Sequence, residues 1–288
     1  MMFPSVESVF ITSPSKHFLR SAIDLQIMLR RVQEVIERSF VMLPGVGVRK
    51  ERSMWDQGIS SWHLLLGANR IAGVSASRLD EFKKISQRIM ELRSAERAKE
   101  IGVLLPSRER WRLLGSWDDS YAALDVEAVR SNGSFVPVVI SLKRGHRNPR
   151  TFVRGDDLSW RTLGEHLSGV DFLVTFNGSS FDLPLLEGSG YSVGDPLHLD
   201  LRGYCRRAHL RGGLKEIERR LGINRSRELE FSTSEQVSYL WRAWERRGSK
   251  NALDLLIKYN QQDVDSLPQL AGCIYRRLAE EALCRDSG

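Results

Sequence analysis

Two acids stand two residues apart inside an otherwise apolar segment, YAALDVEAV (121–129). A segment of that composition fits a strand. Alternate strand residues leave the same face, so Asp125 and Glu127 share one side of a sheet. Strand interiors disfavour acids, and two like charges on one face repel. A divalent cation resolves that conflict. The plainer alternative is an exposed edge strand with solvated acids, which the apolar neighbours disfavour. The segments that follow extend the sheet. FVPVVISLK (135–143) and RTFVRG (150–155) come at hairpin spacing. LSWRTLGEHLSG (158–169) reads as a helix, VDFLVTFNG (170–178) as a buried strand ending in a turn, and PLHLDLR (196–202) as a short strand. Residues 213–221, 235–247 and 251–283 then read as helices. Strands, then strand–helix alternation, then helices predict an α/β class, a mixed sheet flanked by helices.

The N-terminal part has another character. Leu19, Ile23, Ile27, Leu29, Val32, Val35 and Ile36 recur at helical spacing, which predicts a helix over 15–42. LPGVGV (43–48) breaks it, RKERSMWDQG (49–58) reads as a second helix, and 75–100 as a long charged one. LPGVG between two helices resembles a helix-hairpin-helix motif. Backbone N–H groups at Gly45 and Gly47 can hold a phosphate oxygen, with Arg49, Lys50 and Arg52 beside them. IAGVSASR repeats the spacing 28 residues on, Gly73 matching Gly45. Two ordinary glycine turns in a helical bundle are the alternative. The expected division is a helical, nucleic-acid-binding part over 1–105, a linker over 106–120 and a sheet domain over 121–288.

Charge supports that division. The net charge is +7 and the pI about 9.5. Residues 1–110 hold 18 Lys and Arg against 12 Asp and Glu, whereas 111–288 hold 25 against 24. A basic module beside a nearly neutral one suits a polyanion partner; a merely solvated basic surface accounts for the charge equally well. No stretch approaches the ~20 apolar residues of a membrane span, and MMFPSVESVF is not expected to act as a secretory signal. Cys205, Cys273 and Cys284 form no C-x-x-C pair, which points to neither zinc nor disulfides and to a reducing cytoplasm.

Further acids complete a pattern. Asp182 follows the strand VDFLVTF through NGSSFD, beyond a strand end, where open sheets build ligand sites. Taken alone it is better explained by a favourable charge at a helix start. Tyr259 and Asp263 lie i and i+4 on one helix face in YNQQD. The ordered set D-x-E, N-G-x-x-F-D and Y-x-x-x-D resembles the three exonuclease motifs of the DEDD superfamily, in its tyrosine subtype. LDVEA, TFNGSSFDLPLL and YNQQDV are similar to the proofreading domain of family B DNA polymerases. GGLKEIERRLGI (212–223) and LDLLIKYNQQDVDSL (253–267) look closer still to the YprB-like RNase H-like family. The resemblance covers about residues 121–275. One departure is Ala128, where the family usually has Thr.

The resemblance implies an RNase H-like fold and metal-dependent 3′–5′ exonuclease action on DNA or RNA with a 3′ end. It implies two divalent cations, Mg²⁺ or Mn²⁺. Asp125, Glu127 and Asp263 would hold the one that activates water, and Asp125 and Asp182 the one on the leaving-group side. Tyr259 would orient the water. Asn177 and Phe181 would contact the terminal nucleotide, unless they are a strand-end turn and a core aromatic. Among the cations of CRRAHLRGGLKEIERR (205–220), Lys215 is the expected phosphate contact, while Arg219 and Arg220 suit a solvated helix face. A non-catalytic nucleic-acid-binding protein and a structure-selective endonuclease are the rival readings.

Overall fold

The computed structural model describes residues 35–115, 120–226 and 234–284. Its helical part contains α1 (Val48–Asp56), α2 (Trp62–Gly67), α3 (Ala76–Ser94), α4 (Ala98–Leu104) and a 3₁₀ helix, Ser107–Leu113. Most of the helix expected over 15–42 lies outside the described residues, and its last part is corrected: 35–42 run through turns. The helix expected over 75–100 is also corrected. It stops at Ser94, and Glu96 takes φ 56 before α4 begins. Charged helical periodicity continues across that break, so the pattern gave no sign of it.

The internal repetition is a repetition of backbone geometry. Val46 N–H donates to Leu43 O at 3.0 Å, and Val74 N–H donates to Ile71 O at 3.1 Å. Gly45 and Gly73 take φ 68 and 74, and a helix begins three residues after each. The two turns meet through Arg78, whose Nη2 donates to Pro44 O at 2.8 Å. They differ in capping. Ser75 Oγ accepts the Arg78 N–H and caps α3, whereas α1 starts at Gly47 with no side-chain cap.

The strands are β1 (Tyr121–Ser131), β2 (Ser134–Arg144), β3 (Arg150–Val153), β4 (Phe172–Thr175) and β5 (Leu197–Asp200). Among the described residues they form one sheet, ordered β3-β2-β1-β4-β5. β1 and β2 pair antiparallel as a long hairpin, and β4 and β5 run parallel to β1. Parallel neighbours need crossovers. α5 (Trp160–Leu167) precedes β4, and α6 (Asp182–Gly188) lies between β4 and β5. The helices α7 (Leu201–Arg207), α8 (Leu214–Leu221), α9 (Ser234–Arg247) and the 35-residue α10 (Lys250–Cys284) follow. The α/β class with a mixed, helix-flanked sheet is therefore observed.

Strand alternation sorts the packing. Ala122, Leu124 and Val126 face Leu163, Leu167 and Leu186 of α5 and α6. Tyr121 and Ala123 face the other way, into a cluster with Val264 and Leu267 of α10. That second cluster runs on through Leu105, Trp111 and Leu113 to Phe82, Leu65 and Phe40, so the helical part and the sheet share one apolar core. Within this core Arg112, 1% exposed, donates to Glu51 at 2.7 and 3.0 Å, to Glu109 at 3.1 Å and to Ser39 Oγ at 2.7 Å. Among the described residues no helix is long and apolar enough to cross a membrane.

Candidate active site

Asp125 and Glu127 leave the face of β1 that α10 covers, the face of Tyr121 and Ala123. α10 brings Asp263 to the same place. One carboxylate oxygen each from Asp125, Glu127 and Asp263 lies within 4.8 Å of the other two, although Asp263 is more than 130 positions away in sequence. Asp182 reaches the same strand from the first residue of α6. It is 4% exposed, and its Oδ1 accepts the Val126 N–H at 3.0 Å. That N–H is available because β4 pairs with β1 only over Tyr121–Ala123. Just past Glu127 the β1–β2 register shifts, so Ala128 sits at an irregularity opposite Pro137.

The turn carrying Asn177 is built around the half-buried Asp200 and the buried Thr175. Asp200, ending β5, accepts the Asn177 N–H at 2.8 Å and the Ser179 N–H at 3.1 Å. Gly178 lies against Thr175, where a Cβ would meet Thr175 Oγ1 at 2.2 Å, so no larger residue fits without movement. The Asn177 side-chain oxygen accepts from Arg202 Nη1 at 2.6 Å. Phe181 is 38% exposed, and so is not the core aromatic of the alternative reading. Arg202, Arg206 and Arg211 line an open cleft with Asn177 and Phe176. Lys215 stands 4.5 Å over the Tyr259 ring. Arg220 pairs with Glu216 on an exposed helix face, as the solvated reading expects. At the first hairpin Gly45 is held against Arg78, Gly47 opens α1, and Lys50 lies 5.9 Å over Phe82.

Three groups were missed from the sequence. Asn260, fully buried, donates from Nδ2 to Asp125 Oδ2 at 2.6 Å. It sits inside YNQQD, three residues before Asp263, so it falls on the same helix face. Arg225 donates to both Asp263 and the buried Glu218. Glu218 in an apolar-faced helix was the available sign for that pair. Asp200 had only its place at a strand end to mark it.

The electrostatics are strained in one direction. Burial, then the charges of Asp263, Asp182 and Glu127, hold the Asp125 carboxyl well above the usual carboxylate range. Burial, with Asp263 and Asp182 adding to it, pushes Glu127 up to about 8, and burial pushes Asp182 up to about 7. Asp263 is raised too, again chiefly by burial, with Arg225 opposing. Burial and the neighbouring carboxylates raise the Tyr259 phenol, so it is a neutral hydrogen-bonding group at any working pH. A set of hard oxygen donors with excess negative charge in a buried site is chemistry that suits divalent cations such as Mg²⁺ or Mn²⁺. The residues present fit such ions.

Among solved structures, the family B DNA polymerase from the hyperthermophilic archaeon Pyrobaculum calidifontis is similar, with a TM-score of 0.44 and 18% identity. The likeness covers 54% of this chain and 24% of that one. The chain thus spans about a quarter of the polymerase's length. No curated protein matches it. A family model of the RNase H superfamily matches residues 130–275, about half of the chain, beginning just after Glu127 and taking in Asp182, Tyr259 and Asp263. The chain belongs to the RNase H superfamily.

Proposed function

We propose that the protein is a metal-dependent 3′–5′ exonuclease that hydrolyses phosphodiester bonds of DNA or RNA. The observation that carries this reading is the convergence of Asp125, Glu127 and Asp263 within 4.8 Å, beside Asp182 docked on the same strand. In this reading the four carboxylates hold two cations, Mg²⁺ or Mn²⁺, and the chain is of the tyrosine DEDD type, close to the YprB-like proteins. Two such ions, when bound, offset the charge that builds on the attacking and leaving oxygens. Asp125, Glu127 and Asp263 would hold one ion, which would activate the water, and Asp125 and Asp182 the other, which would serve the leaving group. Asn260 orients Asp125, and Arg225 with Glu218 orients Asp263. Tyr259 positions the attacking water by hydrogen bonding. Asn177, Phe181 and Lys215 bind the nucleic acid near its end. Incubating end-labelled DNA and RNA oligonucleotides with Mg²⁺, Mn²⁺ or EDTA tests the reading. The expected result is a ladder shortening from the 3′ end with metal only. Internal cuts would favour a structure-selective endonuclease, and binding without cleavage a non-catalytic protein.

Tyr259→Phe isolates the tyrosine. Mispositioning a nucleophile in an otherwise intact site costs on the order of 10²-fold. Single-turnover hydrolysis by Tyr259→Phe is expected to fall by about that factor, with near-normal affinity for a 3′ end. A rate equal to wild type removes the tyrosine from the mechanism.

The N-terminal part, 1–105, is proposed as a helix-hairpin-helix-like nucleic-acid-binding module joined by 106–120 to the nuclease part over 121–288, in a cytoplasmic protein. The uncapped start of α1 at Gly47, with Arg49 and Lys50 in its first turn, supports this. Each phosphate contact contributes about 0.7–0.9 to the slope of log affinity against log salt. Replacing Arg49 and Lys50 together by alanine is expected to lower that slope by roughly 1.4–1.8. An unchanged slope assigns the module to something other than phosphate binding.

A further inference from the structure

The β1–β2 hairpin outruns its sheet. β4 pairs with β1 only as far as Ala123, and β3 pairs with β2 only over Val139–Leu142. Beyond the irregularity at Glu127 and Ala128, residues 128–131 and 134–137 form a two-stranded ribbon with no further described strand beside it; it turns at Asn132–Gly133, and Val129 packs one of its sides against Val237 and Trp241 of α9. Four residues at about 3.3 Å each carry this ribbon roughly 13 Å past the acids. Its tip holds an aromatic group that no core claims. Phe135 is 52% exposed and meets Phe181 in a T-shaped contact, ring centroids 5.9 Å apart. Arg130, directly opposite Phe135 in the hairpin register, places its guanidinium 5.6 Å over the same ring. Phe181 is bonded to Asp182, so the aromatic pair is covalently continuous with the acidic centre.

We propose that Phe135, Phe181 and Arg130 form a stacking platform for the bases of a single strand of nucleic acid entering the acidic centre. The platform rests on the nuclease reading for its occupant. Although the two rings shield each other in part, both keep apolar surface in water, and an arginine over one of them adds a cation beside that surface. Bases stack on such rings and guanidinium planes whatever their sequence, while the cation meets the backbone. Placing Phe135 on a ribbon rather than in the sheet lets the platform reach nucleotides behind the terminal one, which Phe181 alone does not span.

Fluorescence anisotropy of the full chain in EDTA, with labelled oligothymidylate and an abasic strand of equal length, tests this. Phe135→Ala is expected to bind oligothymidylate about tenfold more weakly, the order of one lost base–aromatic stack, and to bind the abasic strand within about twofold of wild type. Phe135→Trp is expected to recover the affinity, and Phe135→Leu to behave like the alanine variant. Equal losses on both strands, or full affinity in Phe135→Leu, overturn the platform. So does a concentration-dependent dimer that dissociates in Phe135→Ala, which would make a second copy the occupant. The two readings fail separately. A wild-type chain that binds strands but leaves them intact with Mn²⁺ sinks the nuclease and leaves the platform. A chain that degrades them while Phe135→Ala binds normally sinks the platform alone.

Discussion

Asp125→Asn is expected to lose hydrolysis of an end-labelled oligonucleotide by orders of magnitude, since Asp125 faces both proposed cations, and to gain heat stability when metal is withheld. The second effect follows from the acids' raised pKa values. Burial pushes Glu127 up to about 8 and Asp182 up to about 7 in the folded chain, against roughly 4.3 and 3.9 when unfolded. A carboxyl whose folded pKa is raised contributes stability below its unfolded pKa and loses it as pH rises through the folded one. In EDTA the wild-type chain should therefore melt progressively lower between about pH 4 and 8. Asp125→Asn removes one of the mutually repelling charges, so its melting temperature should fall less over that range. Adding Mg²⁺ or Mn²⁺ at pH 8 should raise the wild-type melting temperature more than the variant's, because ligands that bind only the folded state stabilise it. Melts at pH 5 and 8 with and without EDTA decide this. A wild-type melting temperature that rises with pH in EDTA, or undiminished cleavage by purified Asp125→Asn, would remove these acids from the site.

Arg112→Ala is expected to be the most destabilising single change in the chain. The guanidinium is the shared partner of Glu51 and Glu109, and all three side chains are no more than 2% exposed. Glu51 retains the Phe40 N–H at 2.6 Å, and Glu109 retains Arg207 at 2.8 Å. Glu109 thus keeps one ion pair, while Glu51 is left buried with a backbone N–H in place of its cation. Removing one member of a buried ion pair costs about 3–5 kcal/mol. For a chain of this size that lowers the melting temperature by about 10 °C. Glu51 lies in α1, Glu109 in the 3₁₀ helix and Arg207 in α7, so the loss should weaken the helical part and the sheet together, in one transition. A double variant, Glu51→Gln with Arg112→Met, should recover much of the loss, because it leaves fewer buried charges unpaired. Chemical denaturation of the three proteins checks the order. An Arg112→Ala chain as stable as wild type would show that these carboxylates hold each other's place without the arginine.

The acids were legible because their setting was local. A carboxyl in an apolar strand, or one helical turn after a tyrosine on an apolar helix, conflicts with its immediate neighbours, and the conflict is visible in a few residues of text. The same local periodicity placed β1, β2, β4 and α10 and set Asp125 and Glu127 on one face. The repeat of Leu43–Val46 at Ile71–Val74 was legible for the same reason. A glycine turn needs only its own four residues to be recognised.

What the sequence by itself determined is thus the order of the strands, the long C-terminal helix and the face each residue takes on its own element, with Asp125 and Glu127 on one side of β1. Only the tertiary structure decided which elements stand opposite one another. It brought Asn260 onto Asp125, Arg225 and Glu218 onto Asp263, Arg202 onto Asn177, Phe135 onto Phe181, and Arg112 between Glu51 and Glu109. Apart from Glu218 and Asn260, which share a face with residues already marked, each of these partners is polar or aromatic at a position where a surface residue would read the same way. Periodicity reports whether a side chain points inward. It carries no record of what will be waiting there, because that depends on chain reversals many residues away and on the free energy of the whole core.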